Sequence, residues 1–233
     1  MDQSDSLIGI SSKSVRLQFI RKVFSIVSVM LFITACFVCS AFLIDGYADF
    51  YVRNIWIAIV AVVIVIVTSF SIVCYKSVAR ESPKNYLFLT AYIVSESYLV
   101  SGITMHYSVD EVSMAAGLTV AMVCSLTLYA FRTKTDFTMM GGFLLTLVVL
   151  LLLGGIICLF YPNHIMYVVI TCATLLCFSL YLVYDVQLLA GGRKNEYSKD
   201  DYVVASLQIF IDILRIFLEL LKLISLIKRR RGH

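Results

Sequence analysis

The chain has 233 residues, of which 61% are hydrophobic and 15% charged, and its mean hydropathy is +0.93. This composition excludes an ordinary soluble globular domain and favours a protein whose solvent is the lipid bilayer. The net charge of +4 does not indicate nucleic-acid binding, because the basic residues lie in short runs between apolar blocks. Runs of this kind orient membrane helices.

Seven apolar segments are long enough to cross a bilayer, which requires roughly 20 mostly apolar residues per helix. They lie near residues 23–44, 54–75, 86–107, 111–131, 138–161, 164–190 and 202–227. Residues 1–22 form a basic leader and residues 228–233 a basic tail. The connections are short, so successive helices are neighbours. The sequence therefore predicts an all-α integral membrane protein with a single six- or seven-helix transmembrane bundle and no soluble catalytic domain.

Basic residues concentrate in the leader and in every second connection, which predicts a cytosolic N-terminus. These residues are Lys13, Arg16, Arg21, Lys22, Lys76, Arg80, Lys84, Arg132, Lys134, Arg193, Lys194 and Lys199. Of the other connections, the first has only Arg53 and the rest have none. Seven full crossings would place the tail opposite the leader. Either the last segment does not cross, or its tail breaks the positive-inside rule.

Four charged residues share one stripe of the last segment, because they are spaced 3, 4 and 3 residues apart. They are Asp212, Arg215, Glu219 and Lys222. A charge at the bilayer centre costs at least about 2.5–3.5 kcal/mol on insertion scales, so the stripe is not expected to face lipid. Two architectures satisfy this requirement: an inner helix surrounded by the other six, or a re-entrant or interfacial segment that returns to the cytosol.

Carboxylates inside membrane helices are candidate functional groups. Glu96 lies in the third span and Asp185 near the end of the sixth. The Gly191-Gly192 turn allows the last segment to fold back beside the sixth, so we expect Asp185 to face Asp212. Two facing carboxyl groups tend to share a proton and to titrate as a pair. The pair is predicted to form a pH-operated latch, whereas Glu96 is as well explained by packing.

A latch of this kind suits the passage of a hard cation, because carboxylate oxygens are ligands that Ca²⁺ prefers. Arg215 is a candidate counter-charge to Asp212, with a structural ion pair as its alternative role. Asp200 and Asp201 precede the last helix, where acidic residues favour the helix dipole, and they could also attract cations to a pore mouth. Ca²⁺ would be a permeant ion with transient contacts, and we expect no resident cofactor or metal.

Other chemistries find little support in the sequence. All seven cysteines lie in apolar blocks, where a free thiol behaves as a small hydrophobe. The three histidines are scattered, without the spacing of metal ligands. Nucleophile-elbow, zinc-protease and phosphate-loop motifs are absent from the sequence. We therefore expect no enzyme.

Three stretches together resemble the Bax-inhibitor or lifeguard family of small multispanning membrane proteins. They are FRTKTDF at residues 131–137, SLYLVYD at 179–185 and DYVVASLQIFID at 201–212. The resemblance extends along essentially the whole chain. It is strongest to the subgroup of Golgi anti-apoptotic proteins, which includes versions carried by large DNA viruses.

The resemblance implies a cation leak channel of Golgi and endoplasmic reticulum membranes that lowers stored Ca²⁺ and inhibits apoptosis. The family's two latch aspartates match Asp185 and Asp212. The family motif does not assign a role to Glu96, Glu219 or Asp200, so these residues are only candidate pore-lining groups. The charged stripe of the last segment departs from the family, where those positions are more apolar.

Two other classes of function stay open. The protein could be a non-conducting interaction protein that blocks apoptosis by binding apoptotic or Ca²⁺-handling membrane proteins through its loops and tail. Proton-coupled transport or receptor signalling rests only on helix count and scattered charges. The sequence fixes neither the oligomeric state nor the ion selectivity.

Overall fold

A computed structural model describes residues 3–161, 163–192, 194–198 and 200–231, and the side chains of residues 14–228 within those ranges. Several residues used in the sequence predictions lie outside the described part. These are Pro162, Arg193, Lys199 and His233, together with the side chains of Lys13, Arg229, Arg230 and Arg231.

The described residues form nine α-helices, one 3₁₀ turn at Phe137–Met139 and no strand. The helices are α1 (Gln3–Leu43), α2 (Tyr47–Arg53), α3 (Ile55–Cys74), α4 (Lys76–Arg80), α5 (Lys84–Thr104), α6 (Val109–Arg132), α7 (Gly141–Phe160), α8 (His164–Ala190) and α9 (Tyr202–Arg231). The predicted all-α class is confirmed.

Six helices of the described chain are long and apolar enough to cross a membrane: α1 from Ser14 onward, α3, α5, α6, α7 and α8. They correspond to the first six predicted spans, and they confirm the prediction of a multi-pass membrane protein. Helix α9 is not among the six. Its charged stripe lowers its apolarity, although it has 30 residues.

Two helix ends are set by local chemistry. Helix α6 begins with a capping box, in which the Ser108 hydroxyl accepts a hydrogen bond from the Glu111 N–H and the Glu111 carboxylate accepts one from the Ser108 N–H. Helix α8 ends at Ala190 and is followed by Gly191 and Gly192, whose φ angles are +71° and +72°. Side chains other than glycine rarely adopt this conformation, so the pair forms the predicted turn.

The residues divide into two compact units. The first contains α1 to α5, the end of α8 from Leu189, and the chain from Tyr197 to Phe210. In this unit α5 packs between α1 and α3. A buried hydrogen bond of 3.0 Å joins the hydroxyl groups of Thr34 on α1 and Ser97 on α5. Polar side chains therefore contribute to the contact between these helices, as is typical in membranes, where apolar burial alone does not drive association.

Basic residues of the first unit hold the chain on either side of the α8–α9 connection. Arg16 donates hydrogen bonds to the carbonyl groups of Ala190 and Tyr197. Arg80 donates two hydrogen bonds, of 2.8 and 3.1 Å, to the Asp201 carboxylate. This bidentate pair raises the pKa of the Arg80 guanidinium above its ordinary value. Arg16 and Arg80, which were predicted to orient the helices, thus also hold the chain in place just before α9.

The second unit contains α6, α7, most of α8, residues 192–196 and α9 from Ile211. Within it, Lys228 of α9 lies against the start of α6, with its ammonium 3.4 Å from the Ser108 hydroxyl and 3.7 Å from the Glu111 carboxylate. Asn195, before α9, instead bonds Thr138 beyond the end of α6. The chain between Asn195 and Lys228 therefore runs the whole length of α6, about 36 Å for its 24 residues.

Helix α9 is continuous and does not turn back. A continuous helix of this length favours a last segment that crosses the bilayer, and the choice between the inner-helix and the re-entrant architectures stays a prediction. Buried residues recur along α9 from Val203 to Leu221. Each unit therefore buries part of α9, residues 203–210 in the first unit and residues from Ile211 in the second.

The location of the tail gives a first testable prediction. In sealed vesicles with the cytosolic face outward, we expect a C-terminal tag to be protected from protease, because Lys228 lies beside the connection before α6. A tag inserted between His106 and Tyr107 should be protected equally, and an N-terminal tag should be cleaved. Cleavage of the C-terminal tag, with the tag after His106 still protected, would show that the last helix returns to the cytosol.

Candidate functional site

The two aspartates predicted to meet lie together in the second unit. Asp185 on α8 is 3% exposed and Asp212 on α9 is 4% exposed. Their carboxyl groups interact by charge and by a side-chain hydrogen bond. We refer to Asp185 and Asp212 as the carboxyl pair.

One oxygen of the carboxyl pair is unsatisfied. Asp212 Oδ2 is buried and has no hydrogen-bond partner within the described part of the chain. Leaving a buried carboxylate oxygen unpaired costs free energy, so such groups require a specific explanation. A proton or a cation at this oxygen would remove the cost. The pair is therefore suited to binding one or the other.

The surroundings of the carboxyl pair come from one stripe of α8. Cys177, Tyr181 and Asp185 are spaced four residues apart and so lie on one face of the helix. The Cys177 thiol and the Tyr181 hydroxyl are both close enough to Asp212 to interact with its charge. The sequence analysis did not identify Cys177 or Tyr181, although the four-residue spacing back from Asp185 could have revealed them.

The other predicted site residues lie elsewhere along the chain. Glu96 is partly buried on α5, in the first unit. Glu219 lies at 9% exposure and forms an ion pair of 3.0 Å with Lys222. Asp200 is exposed and adds to the electrostatic field at Arg80.

Arg215, the predicted counter-charge, lies on the exposed side of α9. Its side chain is exposed, and no ion pair that the structure describes includes it. A spacing of three residues turns the side chain about 60° around the helix from Asp212. That rotation is sufficient to move it from the buried face of α9 to the exposed one. The role of Arg215 as a counter-charge therefore stays a prediction, which the described contacts do not support.

Gln187 is a second residue that the sequence analysis missed. Its side chain is 1% exposed, two residues beyond Asp185. The amide oxygen accepts a hydrogen bond of 2.8 Å from the Phe137 N–H, and the amide nitrogen donates one of 3.0 Å to the Thr135 carbonyl. Both partners lie in the FRTKTDF stretch. A buried amide in an otherwise apolar helix end was the signal available in the sequence.

A tight metal site is not present among the described residues, where no group of three or more His, Cys, Asp or Glu side chains could hold an ion. Ca²⁺ usually takes six to eight oxygen ligands. The carboxyl pair supplies only part of such a set. Its chemistry fits transient contact with a cation better than storage of one.

Comparison with known proteins assigns the chain to a family. The family model described as "Inhibitor of apoptosis-promoting Bax1" matches residues 16–230. Human protein lifeguard 3 is 33% identical over 217 residues, which cover 91% of this chain and 70% of the relative. Mouse protein lifeguard 3 is 30% identical over the same shares of both chains. Mouse protein lifeguard 4 is 29% identical over 227 residues, or 97% of this chain and 92% of the relative.

The match includes all three stretches that carried the resemblance and both members of the carboxyl pair. It also covers every helix that is long and apolar enough to cross a membrane, except for the first two residues of the α1 span. The chain therefore belongs to the Bax inhibitor/lifeguard family of anti-apoptotic membrane proteins.

Proposed function

We propose that the protein is a pH-sensitive, Ca²⁺-permeable leak channel of Golgi and endoplasmic reticulum membranes, with its N-terminus in the cytosol. By lowering the Ca²⁺ stored in these compartments, it would inhibit apoptosis. The observation that carries the proposal is the contact between two buried carboxyl groups on α8 and α9. Its partners would be the bilayer and the permeant ion.

The carboxyl pair can operate as a gate because its interaction changes sign with protonation. When at least one carboxyl group is protonated, Asp185 and Asp212 attract each other through a hydrogen bond. When both are ionised, they repel, and the repulsion is weakly screened because water is largely excluded. Loss of the second proton therefore favours separation of α8 from α9. The leak should increase as the pH rises through the titration of the pair.

The cost of burying these groups supports a functional role. Carboxyl groups are among the least favourable side chains within a membrane helix, and they are usually retained there for ion or proton movement. The unsatisfied Asp212 Oδ2 adds to this cost. A cation that replaces the shared proton would interact with both carboxylates. This gives the permeant ion a way to stabilise the separated state.

One observation favours a second function, that of a non-conducting interaction protein. Arg215 and Lys222 are exposed on α9, two turns apart. Exposed cations on a helix that crosses the bilayer are expensive unless a partner covers them. A membrane protein involved in apoptosis or Ca²⁺ handling could bind this face, and protection would then not need ion flux.

Reconstitution tests the two functions against each other. Purified protein in Ca²⁺-loaded liposomes should release Ca²⁺ faster as the pH is raised, because higher pH favours ionisation of both carboxyl groups. Protein-free liposomes and release of a trapped dye control for rupture of the vesicles. Absence of Ca²⁺ release at every pH, from vesicles with verified protein insertion, would reject the channel and favour the interaction protein.

A further inference from the structure

The connection after α6 is tied to α8 by a buried side chain. Gln187 accepts a hydrogen bond from the Phe137 N–H and donates to the carbonyl groups of Thr135 and Ala130, the last at 3.5 Å. Its amide therefore uses both its oxygen and its nitrogen on the backbone around residues 130–137. A buried amide with these partners resists movement, because breaking the bonds leaves polar groups unsatisfied in a dry site.

The same connection is tied to the chain that leads into α9. The Asn195 side-chain amide donates a hydrogen bond of 2.8 Å to the Thr138 carbonyl, and the Asn195 N–H donates to the Thr138 hydroxyl at 3.4 Å. The Lys194 N–H donates to Asp136 Oδ2 at 3.3 Å. Asp136 in turn holds Thr138 through hydrogen bonds of 2.9 and 2.6 Å. We refer to Asp136, Thr138, Gln187 and Asn195 as the loop clasp.

The loop clasp joins the two segments that carry the carboxyl pair. Gln187 lies two residues beyond Asp185 on α8, while Asn195 precedes the helix that carries Asp212. Residues two apart on a helix point to nearly opposite sides. Helix α8 therefore presents Asp185 to α9 on one side and is anchored to the clasp on the other. A movement that separates the carboxyl groups must shift α8 against this anchor or break it.

We propose that Gln187 is a positioning residue for the carboxyl pair, and that the loop clasp holds α8 in the closed arrangement until repulsion between the two carboxylates overcomes it. This inference rests on the proposed leak function. The clasp adds a restraint that does not depend on the charge of the pair. Weakening the loop clasp should therefore increase Ca²⁺ release even when the carboxyl groups are protonated.

Several titratable groups lie near the carboxyl pair and the loop clasp. Tyr181, Cys177 and Tyr184 face the carboxyl pair from α8. Asp136 and Lys194 belong to the clasp region, where Lys194 contributes its backbone N–H. Loss of the Gln187 or Asn195 amide changes none of these charges. If either substitution changes Ca²⁺ release, the change would therefore come from the lost clasp hydrogen bonds and not from an altered pKa of a nearby group.

The first arm of the test measures Ca²⁺ release at mildly acidic pH, where the parent is expected to be closed. Gln187→Leu should increase the release about tenfold, the change that corresponds to a buried hydrogen bond of about 1.4 kcal/mol, and Asn195→Ala should increase it less, because its hydrogen bond to Thr138 is only partly buried. The matched control is Asn54→Ala, because the Asn54 amide bonds the Phe50 carbonyl of the adjacent α2, away from the loop clasp. Release equal to that of the parent from both clasp variants would overturn the proposal.

The second arm separates the clasp from the channel. Hydrogen exchange of the α8 segment around Asp185 should be faster in both clasp variants than in the parent and in Asn54→Ala. Faster exchange without Ca²⁺ release from any protein would support the clasp and reject the leak channel. Unchanged exchange would reject the clasp, whatever the parent conducts. If Gln187→Leu does not fold, Asn195→Ala still tests both Ca²⁺ release and hydrogen exchange, because Asn195 is exposed and its substitution should not prevent folding.

Discussion

Asp185→Asn and Asp212→Asn are each expected to abolish the pH dependence of Ca²⁺ release from liposomes. Asparagine is neutral at every pH, and its amide can donate a hydrogen bond to the remaining carboxylate. Either variant should therefore stay near the low release that the parent shows at acidic pH. A repulsion of only about 1.4 kcal/mol changes a two-state population tenfold. We accordingly expect release at alkaline pH to fall at least about tenfold.

The matched control for this prediction is Asp45→Asn. Asp45 is exposed between α1 and α2, so the substitution removes the same charge without touching the carboxyl pair. Its release should follow the parent at every pH. A parental pH profile in both Asp185→Asn and Asp212→Asn would show that the pair is not a gate. Loss of the profile in the control as well would point to a general effect of surface charge.

Gly102→Ala is expected to destabilise the protein by about 1–3 kcal/mol, the range for overpacking a well-packed core. A Cβ atom at Gly102 on α5 would collide with the ring of Tyr51 on α2. The ring cannot readily move, because it stacks on Tyr98 with 4.8 Å between the ring centroids. Thermal unfolding in detergent should detect a decrease of about 2–4 °C for each kcal/mol lost.

Gly117→Ala provides the control for Gly102→Ala. A Cβ at Gly117 on α6 meets no atom within 4 Å, so alanine should be neutral or slightly stabilising there. Adding Tyr51→Ala should make Gly102→Ala much less costly, because the two substitutions act on one contact. Additive effects of Gly102 and Tyr51 substitutions would contradict the proposed collision.

Much of the fold followed from the sequence because hydropathy is a local property. Each of the six apolar segments before α9 satisfies its own backbone hydrogen bonds as a helix, whatever its neighbours are. The glycine turn after α8 was equally predictable, since Gly191 and Gly192 adopt a conformation that other residues avoid. Local chemistry of this kind needs no knowledge of distant contacts.

The candidate site was only partly predictable. The approach of Asp185 and Asp212 followed from their positions on either side of one turn and from the cost of exposing carboxylates to lipid. The exposure of Arg215 did not follow, because a three-residue spacing does not show on which side of the buried face a residue lies. Gln187 escaped notice because its partners are backbone groups about 50 residues earlier in the chain.

The sequence by itself determined the helical membrane class, the places of the apolar helices and the two acidic residues able to form a pair. The tertiary structure decided the direction of α9, the exposure of Arg215 and the contacts of the loop clasp. The physical reason is that apolarity and turn chemistry act over a few residues. The path of a charged helix depends instead on which distant groups its polar side chains contact. Lys228, for example, lies against Ser108 and Glu111.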